Sequence, residues 1–96
     1  MPVQNSDYQL VFTRSARKEA LGLPTKISEQ IERATDRLLQ AFQSSTRPQD
    51  MKPIQGRPGT YRVDSGEYRI LFEVDEAAKT ITIIRVRHRK DVYRNL

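Results

Sequence analysis

The spacing of apolar residues changes once along this 96-residue chain, from steps of three to four to a step of two. Before the change, Ile27, Ile31, Ala34, Leu38 and Phe42 recur at the interval that lines up one stripe of an α-helix. Glu29, Glu32, Arg33, Asp36 and Arg37 fall largely on its other side. After the change, Tyr61 and Val63 alternate with Arg62 and Asp64, and Tyr68, Ile70, Phe72 and Val74 alternate with Arg69, Leu71, Glu73 and Asp75. That is the period of strands with one buried face. A chain patterned in this way has one economical solution, a helix stripe laid against one face of a sheet.

The remaining elements follow from local signals. Tyr8 to Phe12 is a short β-prone run. Thr13 or Ser15 is placed to cap a helix through Ala16–Leu21, which Gly22 and Pro24 should end, and Thr25 is placed to cap the second helix. Ser44 to Gly59, with Pro48, Pro53, Gly56, Pro58 and Gly59, reads as a loop. Ser65-Gly66 and Asp75–Lys79 read as turns, and the β-branched run Thr80–Arg87 as the last strand. The expectation is a single α+β domain spanning residues 1–96 in the order β-α-α-β-β-β, with two N-terminal helices packed on one face of a small antiparallel sheet. Its other face would carry Arg62, Asp64 and Arg69.

Several function classes are excluded early. No cysteine means no disulfide framework, thiolate nucleophile or cysteine-type zinc site, and a single histidine argues against a His-rich metal centre. No apolar run approaches the roughly 18 residues of a membrane span. The first residues lack a basic segment followed by an apolar one, so no secretory signal is expected. A soluble, cytoplasmic protein with no metal or cofactor is the expectation. GxGxxG, P-loop, HExxH and Gly-x-Ser-x-Gly patterns are absent. The formal charge is +5, and residues 52–96 hold most of the excess, with ten basic side chains against six acidic. Arginines outnumber lysines twelve to five. An uneven basic surface points to an anionic partner, nucleic acid being the commonest.

Arginine with little else suits RNA chemistry. The ribose 2′-OH is itself a nucleophile toward its adjacent phosphate, so an enzyme need only align the attack, stabilise the crowded charge and move two protons. Guanidiniums grip phosphate oxygens in bidentate fashion and stay charged throughout. By analogy with oxyanion-hole deletions, one such contact is worth roughly 2.7–4 kcal/mol.

The segments Lys52-Pro53-Ile54-x-Gly56, Tyr61-Arg62-Val63, Gly66-Glu67-Tyr68-Arg69-Ile70-Leu71-Phe72 and Val86-x-His88-Arg89-x-x-Val92-Tyr93, in that order behind β-α-α, resemble the RelE/ParE toxin superfamily. The resemblance runs from Tyr8 to Tyr93, and its His88–Tyr93 ending is nearer RelE than ParE. It implies the toxin of a type II toxin–antitoxin pair. RelE-like members are metal-independent endoribonucleases that cut mRNA in the ribosomal A site and so inhibit translation. The implied partners are a cognate antitoxin, the ribosome and mRNA, with operator DNA reached only through the antitoxin and no membrane. By position, Arg69 matches the arginine at the scissile phosphate, Arg62 a basic residue on the first meander strand, Arg89 the arginine near the end of the last strand, and Tyr93 the tyrosine that stacks on the mRNA base. Lys52, Arg85, Arg87 and Lys90 are candidates for general RNA electrostatics.

One position departs from the pattern. Two residues after Arg62, where RelE-type enzymes often carry a second basic residue, stands Asp64. The candidate base is therefore Asp64 itself, His88, or another group. Structural alternatives stand beside each assignment: Arg69 paired with Asp64 or Glu73, Tyr93 anchoring the C-terminus, and His88 packed at the sheet rim. Two other functions remain open as well, a ParE-like inhibitor of DNA gyrase and a catalytically weak homologue that only binds antitoxin.

Overall fold

A computed structural model describes residues 8–91 of the chain. Tyr93 and its neighbours at the C-terminus lie outside the described residues. The elements run β1 (Gln9–Phe12), α1 (Arg14–Leu21), α2 (Thr25–Gln43), β2 (Lys52–Pro53), β3 (Thr60–Ser65), β4 (Tyr68–Asp75) and β5 (Thr80–His88).

Local chemistry accounts for the boundaries. Thr13 caps α1, its hydroxyl accepting from the Ala16 N–H at 3.0 Å. Gly22 closes the helix by donating to the Lys18 carbonyl at 3.1 Å. The cap of α2 is Pro24 rather than Thr25, so Thr25 is the first helical residue and no side-chain cap bond forms. Proline fits there because its fixed φ suits the helix entry and its carbonyl accepts from Ser28 N–H at 2.9 Å. At the other end, the Thr46 backbone N–H and hydroxyl both donate to the Ala41 carbonyl, and the Arg47 guanidinium lies 4.0 Å from the Phe42 ring centre.

The five strands form one sheet in the order β1-β5-β4-β3-β2. The β2–β5 part is an antiparallel meander. β1 pairs parallel with β5, Gln9 opposite Thr80 through Phe12 opposite Ile83. The helical crossover between β1 and the meander makes that direction possible. β2, read from the sequence as loop, is only two residues long. It tolerates Pro53 because it is an edge strand. The β3–β4 turn passes through Gly66 at φ 61°, and a Cβ there would lie 2.9 Å from Gln30 Nε2. Glycine supplies both the backbone angle and the clearance.

One sheet face packs beneath the helices. Ile31, Ala34, Leu38 and Phe42 of α2 and Ala16 of α1 share a buried cluster with Val63, Ile70, Phe72, Ile81, Ile83 and Val86. Between Leu71 and Phe72 the β4–β5 register slips: Leu71 faces Arg85 while Phe72 faces Ile83, leaving Ile84 as the extra residue of a bulge. The slip takes Ile84 off the face shared by Ile83 and Val86, contrary to simple alternation. Ile84 packs instead with Leu71 and Ile54 in a second, smaller apolar cluster.

Leu38 retains 1% of its surface, so Leu38→Ala removes contacts that nothing nearby can replace. It should lower the unfolding free energy by about 2–5 kcal/mol, measured by urea denaturation.

Candidate nucleic-acid interface

The sheet face away from the helices is built from two cross-strand rows. Lys52 pairs with Arg62, Arg62 with Leu71, and Leu71 with Arg85. One step along, Asp64 pairs with Arg69 and Arg69 with Arg87. Because paired residues of neighbouring strands project to the same side, five cations from four strands converge on one surface.

Four of these cations are tethered. Arg69 Nε lies 3.1 Å from Asp64 Oδ1 and Arg62 Nη1 lies 3.7 Å from the same oxygen. Glu19, reaching across from α1, holds Arg85 Nη1 at 3.2 Å and Arg87 Nε at 3.7 Å through Oε2. The four arginine side chains keep only 20–29% of their accessible surface. They are thus partly withdrawn from water, where charge interactions act more strongly than in bulk solvent. Beneath them, Leu71 is wholly buried although no helix among the described residues lies on this side.

His88 is not part of this group. It pairs with Tyr68, on the helix side of the sheet at its rim, with ring centres 5.4 Å apart in an edge-to-face arrangement. Its Nδ1 accepts from the Lys90 backbone N–H at 3.2 Å, which assigns the proton to Nε2, 3.1 Å from Glu67 Oε1. Arg89 and Lys90 follow the end of β5 in an exposed turn, where the Arg89 N–H donates to the Glu67 carbonyl at 2.8 Å. Lys52 is exposed on the edge strand. The structure thus brings Arg62, Asp64, Arg69, Arg85 and Arg87 together, with Lys52 alongside, and sets His88 apart. Among the described residues, no three His, Asp or Glu side chains gather to hold a metal ion. No helix among them is long and apolar enough to cross a membrane.

Two features escaped sequence reasoning. Glu19 carries no local motif, and its partners lie 66 and 67 residues away. The direct opposition of Arg87 and Arg69 depends on the strand register, which the bulge displaces.

A helix-backed sheet presenting arginines on its open face defines a small α+β protein with one cationic surface. Residues 10–93 match the family of ParE toxins of the type II toxin–antitoxin system parDE. Toxin RelG of Mycobacterium tuberculosis is 32% identical over 94 residues, covering 91% of this chain and 97% of that protein. The RelBE2 toxin–antitoxin complex of the same organism contains a chain 32% identical, with a TM-score of 0.64 over 88% of this chain and 93% of that one. The isolated RelE toxin of E. coli superposes with a TM-score of 0.69 at 26% identity, over 93% of this chain and 99% of that one. The chain belongs to the RelE/ParE superfamily of type II toxins. The match bears one name and these relatives the other, which places the chain in the superfamily without choosing a branch.

The Asp64–Arg69 pair sits at a surface still open to water, so its contribution to folding should be small. A double-mutant cycle with Asp64→Asn and Arg69→Ala, read by urea unfolding, should give a coupling of about 0–1 kcal/mol.

Proposed function

We propose that this protein is a RelE-like, ribosome-dependent mRNA endoribonuclease, cutting in the A site and restrained by a cognate antitoxin. The observation that carries the reading is the set of three arginines, Arg62, Arg69 and Arg87, on adjoining strands of the helix-free face. A phosphate set over them meets guanidinium donors from three strands at once. Such fixed cations favour the phosphorane over the diester because the extra charge appears only as the reaction proceeds.

In this scheme the 2′-oxygen bonds to phosphorus as its proton leaves, and the bond to the 5′-oxygen breaks. The products are a 2′,3′-cyclic phosphate and a 5′-OH, the departing oxygen taking its proton from solvent. Guanidiniums hold their protons, so the arginines act by charge and geometry alone. Of the two bases nominated by the sequence, Asp64 lies on the arginine face and His88 on the other, which favours Asp64 as proton acceptor. Its Oδ1 holds Arg69 and Arg62, so one carboxylate would both order the cations and receive the proton. Tyr93 takes the base-stacking role that the resemblance implies. Lys52, Arg85 and Lys90 add salt-dependent attraction to RNA. The relatives solved as toxin–antitoxin complexes support the antitoxin as partner.

Inhibition of DNA gyrase is the second reading, favoured by the ParE family match and by Asp64 at a position often basic in RelE-type enzymes. Purified, antitoxin-free protein incubated with mRNA, with and without programmed ribosomes, separates the two by primer extension. Cuts confined to the A-site codon, and only with ribosomes, are expected. Absence of cleavage by folded protein, together with a DNA-damage response on expression, would select the gyrase reading.

Three variants extend the test. Arg69→Ala should abolish toxicity and leave antitoxin binding intact, whereas joint loss would indicate misfolding. Asp64→Asn should slow cleavage by about 10²-fold or more, the usual contribution of a general base. His88→Gln should stay within about threefold of the parent.

A further inference from the structure

Arg69 and Arg87 are like charges directly opposite each other on neighbouring strands, an arrangement that by itself disfavours the pairing. Each has a carboxylate on its outer flank, Asp64 beside Arg69 and Glu19 beside Arg87. Across the sheet the order is therefore carboxylate, arginine, arginine, carboxylate.

Glu19 differs from Asp64 in how it is anchored. The β1 pairing ends with Phe12 opposite Ile83, so among the described residues no strand lies beside the outer edge of β5 beyond the bulge. There Glu19 Oε1 accepts the Val86 backbone N–H at 2.8 Å, doing for that donor what a neighbouring strand would do. The bond fixes the carboxylate, and its second oxygen then meets Arg85 Nη1 and Arg87 Nε. Glu19 is largely buried, keeping 24% of its side-chain surface. The contact with Arg85 is a hydrogen bond at 3.2 Å, and that with Arg87 an ion pair at 3.7 Å on its Nε side.

We propose that Glu19 is a positioning residue of the RNA-cleaving site: pinned to the β5 edge through Val86 N–H and Arg85, it orients Arg87 toward the scissile phosphate. The inference rests on the ribonuclease reading and adds to it a residue from α1, an element that does not otherwise contribute to the open face. Its action passes through Arg87, so Glu19 itself need not touch RNA.

The test is a cycle of four proteins: the parent, Glu19→Gln, Arg87→Ala and the double variant. Glutamine keeps an oxygen to accept from Val86 N–H and removes the charge that holds the guanidiniums, so the fold should survive, checked by thermal melting. On programmed ribosomes, Glu19→Gln should lower kcat by about 10- to 100-fold with KM within about threefold, the pattern of misaligned reacting groups. In the Arg87→Ala background the same substitution should change kcat less than about twofold. Parent-like kcat in Glu19→Gln, or an equal loss in both backgrounds, would overturn the proposal. The cycle is also run on affinity for a short single-stranded RNA, a readout that exists without cleavage. If the parent cuts nothing, the ribonuclease reading falls by itself, and the binding cycle decides Glu19. An about two- to threefold effect of Glu19→Gln on affinity in the parent that vanishes in the Arg87→Ala background upholds its action through Arg87, and an equal effect in both backgrounds, or none, refutes it.

Discussion

The apolar stripe of α2 can be buried only once, and most of this structure depends on where it goes. Ile31, Ala34, Leu38 and Phe42 settle on the side of the sheet that presents Val63, Ile70, Phe72 and Ile83. The two helices cover one face of the sheet, and among the described residues none lies on the other. That face must therefore be stabilised by its own side chains. Leu71, Ile54 and Ile84 supply a small apolar patch there, and the long methylene stems of the surrounding arginines are suited to covering it while their charged ends stay near water. An arginine-rich surface is then compatible with a buried strand, because the same residues contribute packing and charge.

Crowding cations has a cost, and the positions of the acids show how it is met. Asp64 and Glu19 stand at the two flanks of the Arg69–Arg87 pair, and neither is inserted between them. On the flanks the carboxylates offset the repulsion between the two arginines. A basic residue in place of Asp64 would raise the positive field and remove one flank, so Asp64 contributes order there at the expense of attraction.

Much of this was legible in the sequence, for reasons that can be traced to particular residues. The α2 stripe and the Tyr61–Val74 alternation each carry a period long enough to identify both the element and its buried face. The alternation alone put Arg62, Asp64 and Arg69 on the uncovered side, where they are found. What could not be read depends on pairing between distant segments. β2 exists because Lys52 and Pro53 meet Arg62 and Tyr61, and nothing in its own composition favours a strand. β1 lies parallel to β5, which no local signal indicates. The bulge at Ile84 is invisible because Ile83 and Ile84 are equally apolar, so either satisfies the buried position. His88 keeps the side shared with Val86 as alternation has it, yet Ile84 does not.

That bulge links fold and site. It increases local twist and shifts β5 by one residue just where β1 ends. Past it, Arg85 stands opposite Leu71 and Arg87 opposite Arg69, both on the open face. Val86 N–H meanwhile points to the outer edge and is taken by Glu19. Were Ile84 to take a regular place in the ladder opposite Leu71, every residue after it would move on by one position and change face, burying Arg85 and Arg87 and exposing Val86. The irregularity in the ladder therefore lets one strand serve the core along its first half with Ile81 and Ile83, then return to it with Val86 while delivering two arginines to the surface. A register fault that costs a little pairing energy is thus what gives the last strand its two functions.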